Sequence, residues 1–152
     1  MISEIGFVFL ILTLVISGFS FAQLIYSHIN LRLFVFNHQK ITNLIFFFTL
    51  SSFISLTYSF LISDFSLNVV AQNSNSQLPT IYKFTGVWGN HEGSILLWLL
   101  VMTFFGFLFS KNSSATEEFK NNVLKIQNSL CFLVVSFVIF TSNPFEKSFP
   151  YP

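Results

Sequence analysis

The chain has 152 residues, of which 53% are hydrophobic and only 9% charged, with 23 phenylalanines and a formal net charge of +1. Soluble domains carry about 25% charged residues, so this composition excludes an ordinary water-soluble globule and points to a membrane protein. The near-neutral balance also excludes a basic surface for nucleic acid.

The apolar runs, in chain order, are Ile5–Tyr26, Leu44–Ile62, Ile95–Phe109 and Ser129–Thr141. A helix that crosses a bilayer needs about 20 such residues. The first run suffices as it stands. It is longer than a signal-peptide core and no basic segment precedes it, so it is expected to stay in the mature protein. His28 and His38 flank the connection to the second run. Neither has the spacing of a metal-ligand pair, and both are expected at the surface.

Residues 63–87 follow the second run. Their NSNSQLP stretch is rich in side chains that bond nearby backbone and favour turns, and about 25 residues exceed the usual connection length. A solvated connector and a folded binding surface both remain open.

The third run is short until it is extended backward through VWGNHEGSILLW, which gives a span from Trp88 to Phe109. At about 3.6 residues per turn, Trp88, His91, Ile95, Trp98 and Met102 share one stripe. Gly89 and Gly93 share another, a small-xxx-small pair that lets a neighbouring helix approach. Glu92 falls in the opening turns, where the helix dipole favours a carboxylate, and Trp88 is placed at head-group level.

The fourth run lengthens in the same way. Ser114-Ala115-Thr116-Glu117 fits a capping box that starts a helix running through Leu124 to Thr141, and Asn143-Pro144 ends it. The expected fold is therefore an all-α membrane protein: one membrane segment over residues 1–152, with four transmembrane helices at roughly 5–26, 44–62, 88–109 and 124–141 and one long outer-face loop at 63–87.

Basic residues set the orientation. Arg32, Lys40, Lys111, Lys120 and Lys125 fall on one side and Lys83 and Lys147 on the other, which places both termini and the loop on the outer face. The single Cys131 excludes an intrachain disulfide and reads as a small buried hydrophobe. Heavy use of Phe, Ile, Asn, Ser and Lys with only three Ala fits an A+T-rich genome, that of an organelle or a low-G+C bacterium. No catalytic triad, phosphate loop or metal-ligand cluster is present in the sequence.

SDFSLNVVAQNSNSQLPTIYKFTGVWGNHEGSILLW, followed about forty residues later by TSNPFEKSFP, closely resembles the N-terminal part of the CcmF-type haem lyase subunit of cytochrome c maturation. MISEIG and the spacing of the four helices resemble it too. The resemblance implies a polytopic membrane protein that receives haem from a haem chaperone and helps join its vinyl groups to an apocytochrome c Cys-x-x-Cys-His motif. Haem would be handled by the assembled complex, beside membrane lipid and the thiol reductant of apocytochrome c.

The tryptophan-rich WWD segment and haem-binding histidines of that family do not occur in this sequence. The expectation is an N-terminal piece, split or truncated, that pairs with the remaining part and has no catalytic residue of its own. Trp88, Gly89, His91, Glu92, Gly93, Ser94 and Trp98 match the family motif and are expected to be haem-proximal or partner-contacting. Asp64, Asn73, Asn75, Gln77 and Pro79 are expected to form an outer docking loop. His91 is chemically able to ligate haem iron or bond a propionate, but the resemblance places the haem ligands elsewhere. The expected location is the mitochondrial inner membrane or a bacterial plasma membrane. The competing reading is a purely structural membrane subunit.

Overall fold

The computed structural model describes residues 2–28 and 37–148. Arg32, the His28 side chain, and Phe149 and Pro150 of the TSNPFEKSFP stretch lie outside what is described. The elements are α1 Ile2–His28, α2 His38–Leu61, α3 Asn68–Asn73, α4 Thr80–Gly86, α5 His91–Ser110 and α6 Glu117–Thr141. Among the described residues there is no strand, only an isolated antiparallel bridge between Leu67 and Lys147.

Four of these helices, α1, α2, α5 and α6, are long and apolar enough to cross a membrane. They form a bundle in which α1 packs on α2 and α6, and α5 packs on α2 and α6. The surface is apolar and the interior is rich in small hydroxyls. Trp98, Phe105 and Phe140 point outward, while Ser17, Ser20, Thr49, Ser52 and Ser59 are buried. This inverts a soluble protein and follows from lipid as solvent: tails accept large apolar side chains, and small residues let backbones approach. Many of the buried hydroxyls bond a carbonyl of their own helix, as Ser17 does to Thr13 O at 2.7 Å and Thr49 to Ile45 O at 2.8 Å.

Glycines mark the tightest crossings. A Cβ on Gly6 of α1 would lie 2.5 Å from Phe145, and one on Gly106 of α5 would lie 2.3 Å from Gln127 of α6. Gln127 takes that position because its amide donates to the Met102 carbonyl of α5 at 2.7 Å. Cys131 is buried, as its apolar setting in the sequence suggests.

Several boundaries differ from expectation. The second span starts at His38 rather than residue 44, because the Asn37 side chain caps the amides of Gln39 and Lys40 and carries the helix through a polar first turn. The fourth starts at Glu117, capped by Thr116 Oγ1 on the Phe119 amide, so the Ser114 capping box does not form. Glu117 and Glu118 instead occupy its first turn, where the helix dipole favours them. The third begins at His91, leaving Trp88 and Gly89 in the preceding turn. The stretch 63–87 is no open loop, since it carries α3 and α4.

Candidate functional site

The site grows from the end of α2. The Ser63 amide bonds Phe60 O and the Asp64 amide bonds Ser59 O, a Schellman closure that puts Ser63 at φ 55 where glycine is usual. Asp64 then turns the chain, its Oδ1 accepting from Ser66 Oγ at 2.6 Å and from Ser66 N at 3.2 Å. Residues 66–68 meet the chain after α6: Asn68 N donates to Glu146 O, and Ser148 N to Ser66 O, both at 2.9 Å. Lys147 donates to Ser3 Oγ at 3.2 Å, which ties in the first turn of α1. The start of α1, residues 63–90 and residues 142–148 therefore share one end of the bundle, as the distribution of basic residues leads one to expect.

Between α3 and α4 the polar link is solvent-facing. Asn73 Nδ2 donates to Val69 O at 2.9 Å, Asn75 Oδ1 accepts from the Gln77 amide at 3.1 Å, and Pro79 O receives the Tyr82 amide at 2.9 Å. Asn73, Asn75, Gln77 and Pro79 are all exposed. They sit on a link held at both ends by short helices, the form of the folded-surface alternative for this stretch.

Asn90 organises the turn into α5. Its Oδ1 accepts from the Gly93 amide at 2.7 Å, and its Nδ2 donates to Gly86 O at 2.8 Å and Val87 O at 3.2 Å. One buried side chain thus caps α5 and closes the end of α4. Gly93 is required by the same turn: a Cβ there would lie 1.6 Å from Val87 O. Gly93 is thus packed against its own preceding turn rather than a neighbouring helix. Gly89 is outside the helix, exposed, and open enough for a Cβ at ordinary contact distance, so the two glycines do not form the expected small-xxx-small face.

Trp88 meets Phe84 edge-on at 5.0 Å between ring centroids and does not continue the helical stripe. His91, Ile95, Trp98 and Met102 remain on α5. His91 is exposed, Glu92 and Ser94 are half-buried, and Trp98 is exposed two turns along the helix. Asn90 was missed from sequence, although an Asn directly ahead of a turn containing Glu92 is a start signal.

His38 corrects the expectation of a surface residue. It is 3% exposed, and its Nδ1 lies 3.3 Å from Ser20 Oγ of α1. It continues the buried stripe Thr42, Ile45, Thr49 and Ser52 of α2, a periodicity visible in the sequence. His38 sits at the far end of the bundle from His91, since Ser110 at the end of α5 bonds Asn43 near the start of α2 at 3.0 Å. The described residues do not bring two histidine side chains to one haem, and no group of three His, Cys, Asp or Glu among them is placed to hold a metal. Midway along the bundle, Phe46, Leu50, Leu100, Val101 and Phe104 line an open apolar groove of about 360 Å³ between α2 and α5.

No family model matches the chain. It is 49% identical over 104 residues to the cytochrome c-type biogenesis protein CycK of Rhizobium meliloti, covering 66% of this chain and 15% of that protein. It is 41% identical over 114 residues to NrfE of Haemophilus influenzae, covering 70% and 18%, and 38% identical over 110 residues to CcmF of Escherichia coli, covering 70% and 17%. The chain is homologous to part of the CcmF-type cytochrome c biogenesis proteins. It spans less than a fifth of the length of these relatives. Its fold matches the solved Cytochrome c Heme Lyase CcmF with a TM-score of 0.83 at 23% identity, over 96% of this chain and 25% of that one. With four helices long and apolar enough to cross a membrane, the chain is a multi-pass membrane protein that shares this fold.

Proposed function

We propose that this chain is the N-terminal part of a haem lyase complex, which attaches haem covalently to apocytochrome c. In this reading it supplies scaffold and docking surface and leaves haem ligation to other parts of the complex. The observation that carries the reading is the identity to cytochrome c biogenesis proteins over about two thirds of the chain. Addition of two thiols across two haem vinyl groups needs the reactants held together, and positioning accounts for much of such a catalyst's effect. The lone Cys131 is buried inside the bundle and His38 and His91 lie at opposite ends, which fits a supporting role.

The remaining lyase part with the WWD segment, the haem chaperone, and apocytochrome c with its thiol reductant are the partners of this reading. The bundle end bearing Asn73–Pro79 and His91 is the outer face, next to which these substrates arrive. The A+T-rich composition fits the mitochondrial inner membrane, and the bacterial relatives favour a plasma membrane.

Reconstitution of this chain with haem and reduced apocytochrome c, with and without the remaining part, tests the reading. Thioether formation is expected only when both are present, and should fall when Asn73–Pro79 is scrambled. His91→Ala should slow maturation without emptying the complex of haem. Thioether formation by this chain alone would falsify the proposal.

A further inference from the structure

Among the described residues only Ser63 has a left-handed backbone, with φ at 55. A side chain is strained in this conformation and glycine is not, which is why glycine usually closes a helix in this way. What serine adds at the end of α2 is a hydroxyl. The Lys83 ammonium of α4 donates to that hydroxyl at 2.7 Å, across 20 residues of sequence. Both residues are half-buried, and a cation is favoured at the carboxyl end of a helix.

The two ends of the Asn73–Pro79 link are held in different ways. On the α3 side, Leu67, Val69 and Val70 are buried in the core, and Asn68 N donates to Glu146 O at 2.9 Å. On the α4 side no residue of the helix is buried, and Ile81, Tyr82 and Phe84 are exposed. A helix of seven residues is too short to be stable alone, so its attachments decide where the second end of the link lies. Gly86 rests against Phe60, and Asn90 Nδ2 closes the helix on Gly86 O at 2.8 Å. Both of these act at the far end of α4 from the link. Lys83, one turn nearer the link, carries the side-chain bond from α4 to the end of α2.

We propose that Lys83 is a positioning residue: through Ser63 it latches α4 to the end of α2 and so fixes the Pro79 end of the docking link. Serine stands at a glycine-like position because the latch needs its hydroxyl. The latch lies on the inward side of α4 and does not depend on what covers the outward side. It stands on this geometry alone, while its bearing on apocytochrome c rests on the haem lyase reading.

Amide hydrogen exchange of the full chain in lipid nanodiscs reads the latch directly. Lys83→Met keeps the length of the side chain and removes the donor, so exchange over Thr80–Gly86 should rise about tenfold, the loss of one charge-assisted bond, with α3 and α5 unchanged. Lys83→Arg should restore protection. Ser63→Gly suits the backbone and removes the acceptor, so it should loosen α4 to the same extent and leave protection at the end of α2 intact. Adding Lys83→Met to Ser63→Gly should change nothing further, since the two residues share one bond. Additive effects, or a Lys83→Met chain in which Thr80–Gly86 exchanges as slowly as in wild type, overturn the proposal. In the reaction reconstituted with the remaining part, Lys83→Met should raise the KM for apocytochrome c severalfold with kcat unchanged, and Lys83→Arg should reverse the rise. A fall in kcat with KM unchanged overturns the positioning role. Absence of thioether formation by the wild-type pair would strike the haem lyase reading, and the exchange measurements would still decide the latch.

Discussion

The two ends of the bundle are fastened differently. At the loop end, backbone meets backbone: residues 66–68 pair with residues 146–148, and Phe145 fills the space left by Gly6. At the opposite end the described bonds between elements run through side chains, Ser20 with His38, Asn43 with Ser110, Thr42 with Asn128, and Gln39 with Glu117. Non-helical backbone at membrane depth must satisfy its own amides and carbonyls. The loop end, which carries the longer described excursion, does so by mutual pairing and by glycines that admit close carbonyls. The far end needs only polar links between helices, and such links are worth about 0.6 kcal/mol each on average in membranes. Substitutions at the loop end should therefore cost more.

Gly93→Ala carries the largest expected effect. The methyl would occupy the position of Val87 O, so the capped turn cannot form, and a loss of at least ~3 kcal/mol is expected. Gly89→Ala, four residues earlier, should stay within about 0.5 kcal/mol. Thermal unfolding of both variants in one detergent checks this, and equal midpoints would remove the distinction between the two glycines.

Next is Gly6→Ala, which forces Phe145 and Ser55 aside and should cost about 2 kcal/mol. The cost should shrink in a Phe145→Ala background because the two positions share one contact. A double-mutant cycle that comes out additive would show that the helix start and the chain after α6 are not coupled there.

Asn90→Ala should cost between about 1 and 2 kcal/mol, the loss of a helix cap and of two further bonds. Asn90→Asp keeps the acceptor for Gly93 N and gives up the donors to Gly86 O and Val87 O, so it should fall between wild type and alanine. An aspartate variant no better than alanine would locate the contribution in the donors alone.

The smallest effect is expected at the far end. Asn43→Ala removes the bond to Ser110 and should cost about 0.6 kcal/mol. If it destabilises as much as Gly6→Ala, the contrast between the two ends fails.

Much of the fold was legible because lipid imposes a simple rule: apolar stretches long enough to cross become helices. The four spans follow from that rule, and their even number brings the start of α1, the 63–87 stretch and the chain after α6 to one end. The start of α2 was not legible from hydropathy, since His38–Asn43 is a polar turn whose helicity comes from the Asn37 cap. α3 and α4 have six and seven residues, too few for periodicity to stand out from turn-forming composition. At the candidate site, the motif residues around His91 were recognisable as a group, but their roles were not. Gly93 looked like a helix-packing glycine because spacing alone cannot tell a neighbour's backbone from the residue's own preceding turn.

By itself, the sequence determined that the chain crosses a membrane, that it does so with four spans, and which family its motif resembles, because hydropathy acts over whole turns of helix while the ends of a helix depend on local caps. Only the tertiary structure decided that His38 is buried against Ser20, that Gly6 and Gly106 mark the close crossings, and that α4 turns its apolar face outward. Those facts depend on which side of each helix meets which partner, and that is settled by contacts between residues far apart in the chain.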